Sequence, residues 1–166
     1  MISLIFTYSD KIGSRLIRDI SKSKTSHMAW LLDEKLVFQS NFSGVHPLWR
    51  GRFEKENVIH YKIDLDMLTL PEEESLYLAL LSKYDGRSYD YGALFYQGFA
   101  WLAYRLKIAR LSTANKWSSK SKFLCVELAK PLAPFGIILP DLESITPDNL
   151  YKYLSQVLKG KMSTKG

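Results

Sequence analysis

"TSHMAWLLDEKLVFQS" spans residues 25–40, and its reading decides the fold. Two apolar runs, "SHMAWLL" (26–32) and "KLVFQS" (35–40), flank the polar pair Asp33-Glu34. Short runs rich in aromatic and β-branched residues around a polar break read as a β-hairpin. "SLIFTY" (3–8) before it and the alternating "VIHYKIDL" (58–65) after it supply further strands. The hairpin's register is open. A two-residue loop at 33–34 pairs residue 27 with Ser40, and a three-residue loop at 32–34 pairs it with Gln39. One step of register sends every side chain to the other face.

Helices fill the rest. Ser9 or Asp10 can cap a helix through about Ser21, with Ile12, Leu16 and Ile20 four apart on one face. Residues 41–57, with Gly44, Pro47 and mixed charge, read as a loop that includes His46, and "RGRFEKE" (50–56) reads as its solvated part. "PEEESLYLALLSKY" (71–84) reads as a helix, with proline in the first turn, three glutamates near the positive end, and Leu76, Leu80 and Leu81 on one side. "DGRSYDYG" (85–92) is a turn-rich connector, and an aromatic helix over roughly 92–108 follows. Thr146, Pro147 and Gly160 mark the ends of a last helix, 146–160. The expected class is α+β, a small antiparallel sheet packed with helices, in one domain over 1–160 with a disordered tail at 161–166.

Composition bounds the function. The 166 residues are 46% hydrophobic and 24% charged, which is globular rather than disordered. The net charge of +6 suits solubilisation, or weak contact with an anionic membrane or the cell wall. No run reaches five basic residues and no base-reading motif is present, so a specific nucleic-acid partner is not expected. A single cysteine excludes an internal disulfide and argues against a thiolate zinc site. Gly-rich phosphate loops, HExxH and G-x-S-x-G are absent, so neither a metal nor a cofactor is expected. "MISLIFTYSDK" lacks a basic n-region and a small-residue cleavage site. Gln97, Arg105 and Lys107 break the apolar stretch 91–111 below membrane-spanning length. A cytoplasmic protein, bacterial or phage-encoded, is the expectation.

The chemistry centres on "KFLCVELAK" (122–130). A polar, basic stretch precedes Cys125 and "CVELA" reads as the start of a helix. A thiol there feels the helix dipole and Lys120 and Lys122, which favour the reactive thiolate. A lone cysteine is also a common small core residue. A nucleophile needs a base. His27 opens a strand, His46 lies in the expected loop, and His60 alternates with Ile59 and Tyr61; spacing alone favours none of them. Gln39 or Ser40 on the partner strand would orient His27, and the carbonyl of Gln39 can accept from the ring N–H.

Four segments together resemble a known family. "TSHMAWLLDEKLVFQS" is similar to the histidine-bearing hairpin of the circularly permuted NlpC-like papain-fold cysteine hydrolases of the YiiX/YaeF type. "GRSYDYG" resembles that family's G-x-x-Y-D stretch, "FLCVELAKPLAPFGI" its nucleophile helix, and "ITPDNLYKYL" its closing segment, all in the family's order. The histidine precedes the cysteine, as it does in lecithin-retinol acyltransferase relatives. The resemblance implies a permuted papain-like fold with Cys125 as nucleophile, His27 as base and Gln39 in place of a frequent glutamate. It implies acyl transfer from a peptide or other acyl-containing substrate. An amidase or peptidase acting on peptidoglycan-type peptides is the first expectation; a lipid acyltransferase or thioesterase, or a non-catalytic binding module, is the alternative. Val126 stands where the family usually has serine, and Pro131 threatens the nucleophile helix. Phe95, Tyr96, Phe99, Trp101 and Tyr104 of the aromatic helix suit core packing, or the wall of an acyl-chain groove.

Overall fold

β1 (Ile2–Tyr8) is an apolar run that pairs on both edges. In the computed structural model, which describes residues 1–90, 92, 94, 96, 106, 107 and 122–163, β1 lies between β2 (His27–Leu32) and β5 (Val58–Asp64). β3 (Leu36–Asn41) and β4 (Gly44–Trp49) extend the sheet in the order β4-β3-β2-β1-β5, all neighbours antiparallel. The class is α+β with a small antiparallel sheet, as expected.

The hairpin adopts neither expected register. Ala29 pairs with Gln39 and Leu32 with Leu36, across a three-residue loop, Asp33–Lys35. Lys35 N–H closes the loop on Leu32 C=O at 3.0 Å, and Asp33 and Glu34 take φ of +50° and +56°. Extending that pairing sets position 27 opposite Asn41. Gln39 therefore shares the face of Ala29 and reaches His27 diagonally, while Ser40 belongs to the other face.

Alternation divides the sheet cleanly. Leu4, Phe6, Met28, Trp30, Leu32 and Phe38 enter the main core on one face; Ile5, Ala29, Leu31 and Val37 enter a smaller cluster on the other. Burial of a large apolar side chain contributes about 1.5–3 kcal/mol, so this pattern holds the register against slippage. Residues 41–57 are not one loop. Asn41–Gly44 makes a tight turn in which Ser43 N–H donates to Asn41 Oδ1 at 2.8 Å. β4 follows as an edge strand, where Pro47 is tolerated. α2 (Arg50–Phe53) then inserts Phe53, fully buried, into the smaller cluster.

α1 (Ile12–Ser21) buries none of its residues, and Ile12 and Leu16 are 86% and 57% exposed. Two of the three expected stripe residues thus face solvent, and Ile20 is half-buried. The helix is held instead by polar ties: Ser14 Oγ accepts from Ser9 N–H at 2.9 Å and lies 2.6 Å from Ser26 Oγ, and the Arg18 guanidinium lies 4.7 Å from the centre of the Tyr8 ring. α3 (Leu70–Ala79) starts at Thr69, whose N–H donates to the Glu72 carboxylate at 2.7 Å. It ends in a π turn, Leu80–Tyr84, that buries Leu80.

β6 (Ser88–Tyr89) and β7 (Lys122–Phe123) pair in parallel and carry the chain to Cys125. α4 (Pro147–Ser163) packs Leu150, Leu154 and Leu158 into the main core. It runs past Gly160, which costs a helix only about 1 kcal/mol relative to alanine. Gly92, Leu94 and Tyr96 are helical, and the rest of the expected 92–108 helix lies outside the described residues, except Leu106 and Lys107, which form a turn. Among the described residues, no helix is long and apolar enough to cross a membrane.

Candidate active site

Cys125 opens a 3-10 helix, Cys125–Phe135, rather than the expected α-helix. Pro131 and Pro134 account for the difference. Each lacks an N–H and crowds the carbonyl four residues back, and tighter i to i−3 winding is what remains. Glu127 N–H to Leu124 C=O at 3.1 Å and Gly136 N–H to Ala133 C=O at 3.0 Å are bonds of this kind. The start of the helix is anchored from both sides. Leu124 N–H donates to the buried Glu127 carboxylate at 2.8 Å, and Trp30 Nε1–H on β2 donates to Leu128 C=O at 2.7 Å.

This anchoring brings the Cys125 sulfur to the end of β2. Three backbone N–H groups face it, those of Met28, Val126 and Cys125 itself. The Met28 N–H is available for a topological reason. Asp33 N–H bonds Met1 C=O at 3.1 Å, which turns odd-numbered residues of β2 toward β1 and even-numbered ones toward β3. The β2–β3 pairing stops at Ala29, so Met28 N–H points past its end. The thiol is not the low-pKa group expected at a helix start. Burial pushes its pKa from 9.0 up to about 11 and outweighs the three N–H groups, while the Glu127 charge adds slightly. Lys120 lies outside the described residues.

His27 is the residue immediately before Met28. Its ring lies on the α2 face, 6.4 Å from the Phe53 ring. Burial pushes its pKa from 6.5 down to about 4; a hydrogen bond to Gln39 opposes the shift, and the charge of His46 adds to it. A hydrogen bond that favours the protonated ring is one in which Gln39 presents its oxygen. Nε2 of His27 is buried without a hydrogen-bond partner, so Gln39 engages Nδ1. Gln39 is 3% exposed, and its Nε2 lies 3.4 Å from Nε2 of His46, directly opposite on β4.

The structure thus sets the Cys125 sulfur at the Met28 N–H on the main-core side of the sheet and the His27 ring, with Gln39, on the α2 side; among the described residues no hydrogen bond joins thiol and imidazole. His60 is exposed on β5, its ring 4.3 Å from that of Tyr61, and takes no part. Sequence reasoning missed the Met28 N–H and the Gln39–His46 contact. The second was recoverable: a two-residue turn at Phe42-Ser43 within "NFSG" pairs 41 with 44, and therefore 39 with 46.

Cys125 borders a cavity of about 20 Å³, lined also by Ile17, Ser26, Tyr89, Leu94 and Ile145. That is room for about one water. Among the described residues, no cluster of three or more histidine, cysteine or acidic side chains could hold a metal. No family model, curated protein or solved structure matches the chain.

Proposed function

We propose that the chain is a cysteine-dependent hydrolase of amide bonds, amidase- or peptidase-like, on a circularly permuted papain-like domain. Cys125 is the nucleophile, His27 the base, and Gln39 the group that orients the imidazole. One observation carries this reading: the sulfur rests on the N–H of the residue after His27, whose ring keeps Nε2 free while Gln39 holds Nδ1.

Near neutral pH, a thiol with a pKa of about 11 and an imidazole with a pKa of about 4 are both uncharged. The thiol proton therefore moves as sulfur attacks the carbonyl carbon, not before, and its transfer to Nε2 requires the His27 ring to swing from the α2 side toward the sulfur. The N–H groups of Cys125 and Met28, already aimed at the sulfur, are the donors for the oxyanion. Collapse of the tetrahedral intermediate breaks the C–N bond. The imidazolium returns its proton to the leaving amine, leaving a thioester on Cys125. Water, deprotonated by His27, hydrolyses that thioester and restores the thiol. A cavity of about 20 Å³ must widen to admit the acyl group.

Peptides of the peptidoglycan type are the first substrate class to test. Its lining favours a second reading, since Ser26 is the polar side chain among Ile17, Tyr89, Leu94 and Ile145; such a wall suits the acyl chain of a lipid ester or thioester. Hydrolysis of a peptide-amide panel and an acyl-ester panel, by wild type, Cys125→Ser and His27→Ala, tests both. Turnover lost in both variants supports the assignment, and the preferred panel names the bond. Cys125→Ser turning over at the wild-type rate would overturn it.

A further inference from the structure

We propose that His46 sets the tautomer of His27 through Gln39, which makes His46 a positioning residue of the site. Three side chains on adjacent strands carry the inference. A carboxamide has one end that only accepts and one that only donates. The Gln39 nitrogen faces His46 Nε2 at 3.4 Å, which leaves its oxygen for His27, the other ring it hydrogen-bonds; with Nε2 of His27 unpartnered, that bond falls to Nδ1. While His46 is neutral, its Nε2 lone pair accepts from the amide. The amide oxygen is then fixed toward His27, the His27 proton stays on Nδ1, and the lone pair of Nε2 is free.

Protonation of His46 removes that acceptor and makes Nε2 a donor. The amide then turns by about 180°, a rotation that exchanges an oxygen and a nitrogen of nearly equal size. Its NH2 group now faces His27 Nδ1, so the His27 proton moves to Nε2, the nitrogen that must receive the thiol proton. Of the other charged groups on this side, Arg50 of α2 is paired with Glu34 and Glu54, Lys62 of β5 with Glu34 and Asp64, and Lys11 with Glu56, while Arg52 of α2 is exposed. β1 contributes Thr7, opposite His27, which carries no charge. Arg87 meets β4 through its backbone carbonyl, 2.8 Å from Val45 N.

The bearing on catalysis rests on the function proposed above; the coupling itself does not. The test is a pH titration of the nitrogen-15-labelled full chain, with long-range proton–nitrogen spectra of the imidazoles. The expected result is a His27 pattern that converts from the Nδ1–H to the Nε2–H form, with the midpoint read from the signals of His46. In His46→Leu the conversion is lost over that range. A His27 pattern that stays constant while His46 titrates, or converts unchanged in His46→Leu, overturns the proposal. The wild-type titration decides the matter alone if the variant does not fold. Tautomer conversion without any turnover would fail the hydrolase reading and leave this one standing; turnover without conversion would do the reverse.

Discussion

Trp30 donates its indole N–H to the Leu128 carbonyl at 2.7 Å, across 98 residues of chain and out of reach of solvent. This bond joins β2 to the 3-10 helix and fixes where Cys125 meets the strand. Trp30→Phe keeps an aromatic ring but leaves a buried carbonyl without its donor, at a cost of about 1–3 kcal/mol, and adds a small void. Urea unfolding should show a loss of about 2–3 kcal/mol. Iodoacetamide labelling of Cys125 should also speed up in native buffer, because the helix start loosens. An unchanged unfolding midpoint and an unchanged labelling rate would mean that this bond does not position the site.

The thiol's environment predicts its labelling profile. Alkylation follows the thiolate, so with a pKa of about 11 the native rate should be slow near neutrality and rise steeply toward that pH. The unfolded chain should label with a midpoint near 9.0. A native midpoint below neutrality would place the sulfur in a different setting from the buried one described here.

His27 predicts an acid-side loss of stability. Its folded pKa of about 4 lies below the ordinary 6.5, so between these values the unfolded chain binds the proton and the folded one does not. Stability therefore falls as pH drops from 6.5 to about 4, and recovers as pH rises. At about 1.4 kcal/mol per pH unit, the full loss is about 3 kcal/mol. The difference in unfolding free energy between pH 7 and pH 4 should shrink by about that much in His27→Gln, whose amide does not titrate. An unchanged difference would show that the imidazole is not buried in its neutral form.

The sheet was legible because its strands are made of apolar residues at the right intervals. "SLIFTY" and "VIHYKIDL" appear within a residue or two of their expected limits. What depends on one residue of register was not legible. The loop Asp33–Lys35 uses two positive-φ residues with neither asparagine nor glycine to announce it, so Gln39 and Ser40 could not be told apart. Gly44 and Pro47 read as breakers, yet an edge strand accepts both, which hid β4 and with it His46. The place of Cys125 before an apolar helical pattern suggested a lowered thiol pKa, and the structure raises it instead. Sequence shows the neighbours that lower a thiol's pKa and not the depth of burial that raises it.

Position 39 offers the sharpest chemical test, since its amide is the group hydrogen-bonded to the His27 ring. In Gln39→Glu, a carboxylate replaces the amide oxygen on the His27 ring. An opposite charge at hydrogen-bond distance raises an imidazole pKa by about 1–3 units. His27 should therefore titrate above its present value of about 4, and the acid-side loss of stability should shrink accordingly. The same carboxylate faces His46, and either imidazolium can neutralise it. Direct titration of both rings by NMR checks the point. If His27 in Gln39→Glu still titrates near 4, residue 39 does not hold this ring.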